Sequence, residues 1–513
     1  MHLTDLLNSD IIGTTLPSEA GSITITGLTD DSRKVRSGFL FFAISGSKND
    51  GRAYCRQAIE AGAAVIVTDD RKLDKDLEQI RDAGTPVITL ANPRRALALV
   101  AARLWPRQPS MIAAVTGTNG KTSTTEFLRQ IWKRVTWDAA SLGTLGVQGT
   151  DTRKLKGKMI DLPSLTTPDA ISLHSNIHKL AEVGITHLAL EASSHGLEQH
   201  RMDGLNVHVA AFTNLTRDHL DHHHDMDRYF AAKTRLFTEL LMHGGTAVVN
   251  IDDEYGRKLA DIIRNQTENP KVLITLGFAE DADFRITALE PKAGMLEMTV
   301  RHKGEDSYIP LALSGTFQAF NALTAAVMGY ASGLPLQDSL RALPFLTAAT
   351  GRMQTVSGHP SGALVVVDYA HTPDALAAAL TALRPEASGR LVVLFGCGGD
   401  RDVGKRPMMG KIAADSADHI IITDDNPRSE DPATIRKQII EACPNAVEIA
   451  GRDKAIADAI GELEAGDVLL IAGKGHETVQ LIGKETLPFS DANVARNAIK
   501  LLIRNNQSGG GNA

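Results

Sequence analysis

Short apolar runs recur along this chain, and most of them end in a polar or glycine-rich turn. In the N-terminal part, Gly38 to Ile44, Ala63 to Val67 and Pro86 to Leu90 predict strands separated by helical or polar stretches. Leu97 to Trp105 predicts a helix, and Pro106 and Pro109 predict a linker behind it. Met111 to Val115, Thr186 to Leu190 and Val207 to Phe212 read as buried strands. Gly244 and Gly245 break a helical pattern just before the strand Thr246 to Asn250. Strands of alternating character follow through Ala288 to Ile309, and a helix of small residues runs from Asn321 to Tyr330. From Gly351 onward, Leu364 to Val367, Leu391 to Phe395, His419 to Thr423 and Val468 to Ala472 are four more apolar strands separated by helical stretches. The tail from Asn505 to Ala513, rich in Asn, Gln and Gly, is expected to fray.

Apolar strands alternating with helices predict an α/β protein on parallel sheets, with ligands at the strand ends. The pattern divides the chain into three regions, 1–108, 109–350 and 351–513, and 513 residues are too many for one core. Hydrophobic residues at 43% and charged residues at 22% are ordinary for a globular protein. A net charge of −7 argues against a nucleic-acid partner held through its phosphates. No apolar run is long enough to span a bilayer, and no basic segment precedes an apolar one near the start. The three cysteines, Cys55, Cys397 and Cys443, show no metal or disulfide spacing. These features predict a cytoplasmic enzyme without structural disulfides or a transmembrane segment.

The chemistry begins at Gly117-Thr118-Asn119-Gly120-Lys121-Thr122-Ser123, between a predicted strand and a helix-compatible stretch. A glycine-rich turn opening a helix cradles phosphate oxygens with its N–H groups. Lys121 would reach the terminal phosphates, and Thr122 could ligate magnesium. The loop is shorter than the usual one, with only Thr118 and Asn119 between Gly117 and the Gly-Lys pair. Glu191 and His219 stand at the ends of two predicted strands, and both residue types suit a cation near phosphates. The crowd Asp218, Asp221, His222, His223, His224 and Asp225 reads as a metal cluster or as a solvated turn, with the turn favoured for its later members. Lys233, in the helix-compatible Tyr229 to Lys233, reads from composition as a solvated charge.

Taken together, the phosphate loop, Glu191-Ala192-Ser193-Ser194-His195, Asn214 to Asp221 and Asp368-Tyr369-Ala370-His371-Thr372-Pro373 resemble the ATP-dependent Mur ligases of peptidoglycan synthesis. The resemblance covers nearly the whole chain and is nearest to the members that add 2,6-diaminopimelate. It implies a three-domain Mur ligase architecture: a UDP-substrate-binding domain (1–108), a central ATP-binding domain on a P-loop ATPase-like parallel sheet (109–350), and a Rossmann-like amino-acid-binding domain (351–513). It also implies that ATP activates the terminal carboxylate of UDP-N-acetylmuramoyl-L-alanyl-D-glutamate as an acyl phosphate, which the amine of meso-diaminopimelate attacks. Two Mg2+ ions, held by Thr122, Glu191, His219 and a carbamylated Lys233, would assist Lys121. Domain closure would keep water from the acyl phosphate.

The remaining roles are likewise those the resemblance implies. Asp30, Ser32, Ser47, Lys48 and Asn49 correspond to the uridine-nucleotide site. Thr166, Thr167, Ser194, Gln199 and Arg201 correspond to contacts with the muramoyl dipeptide. Asn321, Arg352 and Asp368 join Gly117 to Ser123 at the nucleotide, with Lys405 a further phosphate contact. Arg401, Asp425, Asn426, Pro427, Arg428, Gly473 and Glu477 would receive diaminopimelate, whose distal carboxylate suits the arginine fork of Arg428. His195 and Asp368 are both candidates for a base. Gly315-Thr316-Phe317-Gln318 departs from the family's Gly-x-Phe-Asn, leaving the contact of Gln318 open. The implied enzyme is a monomer. An L-lysine-adding relative, a folylpolyglutamate synthase-like ligase and a P-loop nucleotide switch are the alternatives. The N-terminal domain and Asp425-Asn426-Pro427-Arg428 disfavour the second, and polar residues at three sheet edges disfavour the third.

Overall fold

The computed structural model describes all residues except 9, 10, 12–20, 47, 48, 150–164, 293 and 510–513. Ser47 and Lys48 therefore lie outside the described residues. The chain forms two compact units. Met1–Lys121, Val135–Val249 and Asp253–Ile274 make the first; Thr122–Arg134, Asn250–Asp252 and the residues from Thr275 onward make the second. Among the described residues no helix is long and apolar enough to cross a membrane.

In the first unit, Gly27–Thr29, Phe39–Ala43, Ala63–Asp69 and Val87–Leu90 form a parallel sheet in sequence order. Alternate residues serve opposite faces, as the pleat requires. Leu40, Phe42, Val65 and Val67 pack with Leu97 and Ala101, while Phe41 and Ile66 pack with Ala58 and Leu77. The helix behind this sheet is Pro93–Leu104, four residues earlier at its start than the apolar pattern predicts. Asn92 caps it by accepting from Arg95 N (2.9 Å), and Pro93 occupies its first turn, where a missing N–H costs nothing.

In the second sheet, six neighbouring strands follow the order Leu241–Asn250, Val207–Phe212, Met111–Thr116, His187–Glu191, Ala139–Gly143, Gly146–Gly149. These neighbours are parallel except for the final hairpin. Three predicted strands thus lie side by side, with Met111–Thr116 in the middle and its phosphate loop at the sheet's C-terminal edge. Gly244 and Gly245 do not precede strand Leu241–Asn250 but lie within it, where the register against Val207–Phe212 shifts between Leu241 and Thr246.

In the second unit, the expected strands of alternating character are Phe284–Lys292, Met295–His302 and Glu305–Leu311, which pair antiparallel, and the helix of small residues is Phe317–Ala331. Trp132, buried on Lys121–Arg134, donates to Ser332 Oγ (2.9 Å) at the end of that helix. The last sheet runs Gln354–Val356, Leu364–Asp368, Val468–Ala472, Leu391–Phe395, His419–Ile422, Val447–Glu448, parallel beyond its first pair. The four predicted strands are its centre, so their polar turns share one edge. The last of the four, Val468–Ala472, lies between the first and second, which opens a crevice at that edge. The tail does not fray where expected: helix Asp491–Gly509 continues past Asn505, propagating from a buried face that includes Ala492, Ala495, Ala498 and Ile499.

Candidate active site

The first unit builds its site around the phosphate loop. Gly117 has φ 149°, and a Cβ there would lie 1.9 Å from Thr213 Oγ1, so no other residue fits. The loop is tied to the end of Val207–Phe212: Thr118 N donates to Asn214 O (2.9 Å), Asn119 N to Asn214 Oδ1 (3.0 Å), and Thr213 Oγ1 to Asn119 O (2.6 Å). Gly120, at φ 86°, completes the turn. Lys121 Nζ donates to Gly117 O (2.9 Å) and Thr118 O (2.8 Å), so its ammonium lies over the loop. Thr122 and Ser123, both buried, open the following helix.

Lys233 is not the solvated charge its composition indicates. Asp225 caps helix Met226–Arg235 by accepting from Arg228 N (2.8 Å), which sets Tyr229 and Lys233 on one buried face. Lys233 is 1% exposed; its Nζ donates to Gly117 O (2.8 Å) and lies 4.6 Å from the centre of the Tyr229 ring. Burial, then the charge of Lys121, lowers its pKa well below the ordinary lysine value, against a smaller pull from Asp218. Tyr229 in turn meets Thr118 through its hydroxyl, 3.1 Å from Thr118 Oγ1.

Glu191 ends its strand 2% exposed. Oε1 accepts from Thr144 N (2.9 Å) and Oε2 from Thr144 Oγ1 (3.1 Å). Gly143 makes room for the carboxylate, since a Cβ there would approach Glu191 Oε1 to 2.1 Å. Thr144 Oγ1 also meets Thr166 Oγ1 at 3.1 Å. Thr167 Oγ1 donates to Glu191 O (2.8 Å) and accepts from Ser193 N (2.9 Å), and Arg201 donates to Thr167 O (2.6 Å) and Gln199 Oε1 (2.8 Å). Four expected dipeptide residues, Thr166, Thr167, Gln199 and Arg201, are therefore linked to Glu191. The fifth, Ser194, is buried in the adjoining helix Ser194–Glu198.

His219 is exposed at φ 53°, with its ring 5.1 Å from that of His195 and 6.2 Å from that of Tyr229. Burial, then the neighbouring His222, His219, His223 and Arg201, lowers the His195 pKa to about 4, so the ring is neutral at pH 7. The turn beyond His219 corrects the expectation of a solvated stretch. His224 is exposed and Asp225 caps a helix, but His223 is buried, stacked on Tyr229 at 5.0 Å.

Farther toward the N terminus, Ser32 is buried and donates to Gln57 Oε1 (2.9 Å), while Asp30 and Asn49 are exposed. Although the residue as a whole is exposed, desolvation of its carboxyl, then the charge of Asp169, raises the Asp30 pKa.

The second unit gathers the other expected residues at the crevice edge. Asp368 ends its strand and accepts from Met353 N (2.7 Å) and Ala370 N (2.9 Å). Burial raises its pKa, opposed chiefly by Arg352, and both its oxygens are engaged. Arg352 stands over the Tyr369 ring at 4.7 Å. Gln318, the family departure, donates to Arg352 O (3.2 Å) and accepts from Asn321 Nδ2 (2.9 Å), joining all three. Lys405 Nζ donates to His371 O (2.8 Å).

Turns 396–400 and 424–428 nest together, with Gly399 N donating to Asn426 O (2.9 Å). Arg428, at φ 51°, donates from Nη1 to Gly399 O (2.8 Å), and its backbone pairs with Leu481 and Gly483. Gly398 lies between Arg428 and the exposed Arg401. A Cβ on Gly473 would touch Asp425 Oδ2 at 2.8 Å. Asn426 Nδ2 donates to Glu477 Oε2 (2.8 Å). Lys474, absent from the sequence expectations, is fully buried and donates to both Asn426 Oδ1 (2.8 Å) and Glu477 Oε2 (2.9 Å). Burial would raise the Glu477 pKa, but bonding to Lys474 and Asn426 outweighs it and the net shift is downward. Beneath these turns Arg452 and Asp491 form a fully buried pair (2.7 and 2.8 Å), and Arg452 also donates to Ala472 O (2.8 Å) and Asp424 O (3.3 Å).

Three stretches of the chain match family models: residues 24–105 the Mur ligase family catalytic domain, 115–329 the Mur ligase middle domain, and 351–475 the Mur ligase glutamate ligase domain. The UDP-N-acetylmuramoyl-L-alanyl-D-glutamate–2,6-diaminopimelate ligase of Bradyrhizobium diazoefficiens is 47% identical over 491 residues, covering 96% of this chain and 97% of that one. The chain belongs to the Mur ligase family. The ligase of the same name from Brucella melitensis is 46% identical, over 93% of this chain and 94% of its own. A solved structure of a ligase of that name is 32% identical, with a TM-score of 0.71 across 96% of this Mur ligase and 99% of that chain. The three-domain α/β Mur ligase architecture expected from the motifs is the architecture of this chain.

In this Mur ligase, Thr144, Tyr229 and Lys474 touch the expected site residues Glu191, Lys233, Asn426 and Glu477, although no role was assigned to them from the sequence. Tyr229 sits four residues before Lys233, a spacing that marks one helix face. Lys474 stands between two glycines, which gives no sign of burial.

Proposed function

We infer that this Mur ligase catalyses the ATP-dependent addition of meso-diaminopimelate to UDP-N-acetylmuramoyl-L-alanyl-D-glutamate, a step in peptidoglycan precursor synthesis. The observation that carries this reading is 47% identity, across nearly the whole of both chains, to a ligase named for that reaction. The division into domains 1–108, 109–350 and 351–513 belongs to the same reading, since each family match falls inside one of these spans. A cytoplasmic monomer is part of it as well.

In the reaction, the terminal carboxylate of the dipeptide attacks the γ-phosphorus of ATP, giving an acyl phosphate and ADP. The acceptor amine then adds to the acyl carbon, and phosphate leaves as the amide forms. Lys121 meets the charge shifting onto the transferred phosphoryl oxygens. Thr122, Glu191, His219 and a carbamylated Lys233 would hold Mg2+, which when bound neutralises phosphate charge. The donor set fits: Glu191 brings a buried carboxylate, and Lys233 sits beside the loop with Gly117 O as its hydrogen-bond acceptor. An ammonium buried this way is costly, and carbamylation turns it into an anion suited to a cation. Arg201, Gln199, Thr166 and Thr167 orient the dipeptide. His195, neutral at pH 7, is a better candidate than the doubly bonded Asp368 for taking the amine's proton.

Acceptor choice rests on Arg428. Its Nη1 is anchored to Gly399 O, which among the described residues leaves the rest of the fork for the distal carboxylate of diaminopimelate. L-Lysine lacks that carboxylate and would leave the fork unmatched, a penalty of roughly 2–5 kcal/mol if the pocket is dry. ADP release is expected only when the UDP-linked dipeptide and diaminopimelate are both present. Arg428→Ala is expected to lose the preference over L-lysine. Comparable catalytic efficiencies for the two acceptors on the wild type would instead favour a lysine-adding enzyme, and ADP release without an acceptor would favour a nucleotide switch.

The first domain is assigned the uridine nucleotide, through Asp30, Ser32, Ser47, Lys48 and Asn49. Ser32→Ala should weaken the UDP-linked substrate by roughly 1–3 kcal/mol while leaving the ATP dissociation constant nearly unchanged. Calorimetric titration with each ligand checks this; equal weakening of both would remove the division of labour.

A further inference from the structure

We propose that Glu198, His222 and His223 form a binding site for a borderline divalent cation of the Zn2+ class, built from side chains the ligation reaction does not use. Glu198 ends helix Ser194–Glu198, and the histidines close the short helix Leu220–His223. Glu198 Oε2 lies 2.6 Å from His222 Nε2 and 3.7 Å from His223 Nδ1, and one donor atom from each residue falls within 4.8 Å of the others. Donors about 2.0–2.2 Å from a tetrahedral ion stand roughly 3.3–3.5 Å apart, so modest side-chain rotations convert this cluster into three ligands of one ion. Two imidazoles and a carboxylate match the preference of Zn2+ or Co2+, whereas Mg2+ favours oxygen.

The second observation is the state of His223. It is 1% exposed, and neither ring nitrogen has a hydrogen-bond partner among the described residues. A buried imidazole left unpaired costs free energy that a metal bond at Nδ1 would recover. Stacking on Tyr229 fixes the ring's orientation toward Glu198. Glu198 and His222 are partly exposed, which provides an entry path and leaves room for solvent as a further ligand. Because His222 N and His223 N both donate to His219 O (3.1 and 2.9 Å), an ion here would also stiffen the turn bearing His219.

The test uses the nucleotide-free, full-length enzyme in excess Mg2+, with Co2+ as the probe, followed by visible d–d absorption and equilibrium dialysis. The wild type is expected to take up one equivalent with the intense absorption of a low-coordinate ion, and Zn2+ should displace it. Glu198→Gln/His222→Gln should lose that absorption and bind about 100-fold more weakly or worse. His224→Gln, altering the exposed neighbour, should behave as wild type. Circular dichroism checks the fold, and Glu198→Gln alone replaces the double variant if that one does not fold. A wild type that takes up no Co2+ under these conditions, or a folded variant with wild-type affinity and spectrum, overturns the proposal.

Discussion

Lys233→Ala is expected to be nearly inactive, and small carboxylic acids should restore part of its rate. The side chain is buried beside the phosphate loop, bonded to Gly117 O and facing the Tyr229 ring. A lysine cation so close to Lys121 would be repelled by it; a carbamate would be attracted and could bind a cation as well. Removing the side chain leaves a space that formate, acetate or propionate can enter, each bringing the missing carboxylate. The check is ligation rate against acid concentration, with circular dichroism to establish folding. Saturable rescue in Lys233→Ala, and none in Lys121→Ala, is the expected result. A folded Lys233→Ala that no acid rescues, or one that turns over normally, would dismiss the anionic role.

Lys121→Ala should lower turnover by about 10²–10³-fold or more, because a single charge directed at transferring oxygens contributes on that scale. The fold should survive. The side chain bonds to Gly117 O and Thr118 O within its own loop, while Gly117 to Asn119 are anchored independently through Thr213 and Asn214. Pre-steady-state measurement of ADP formation places the loss at phosphoryl transfer. Near-normal ADP formation by a folded variant would reject the role given to Lys121.

The strands were readable because each is an apolar run ending in a polar turn, and burial on both faces of a parallel sheet produces that signature. Ala139–Gly143 escaped notice because Ala, Ser and Gly carry little strand preference, and only tertiary burial makes them a strand. Pro93 concealed a helix start because an Asn-Pro pair also reads as a turn. At the site, the residue types of the phosphate loop and the Asp425 to Arg428 turn were visible as motifs. Burial was not. His223 and Lys474 lie among polar or glycine neighbours in sequence, and the groups that Lys233 and Lys474 bond, Gly117 O and Asn426 Oδ1, are distant in the chain. Likewise, nothing adjacent to Gln318 announces that it joins Asn321 to Arg352.

The Arg452–Asp491 pair bears on how the protein can be trimmed. Asp491 is the first residue of the terminal helix, and Arg452 reaches from it to the carbonyls of Ala472 and Asp424, directly before the Gly473 and Asp425 turns. Shortening the chain from its C-terminal end is harmless only while the cut stays beyond the helix's buried residues. A cut ahead of Asp491 would strand a guanidinium in the interior, at a cost on the order of 3–5 kcal/mol. It would also slacken the turns at Asp425 and Gly473 assigned above to the acceptor, so on that reading a shortened enzyme would lose acceptor affinity before it lost affinity for nucleotide.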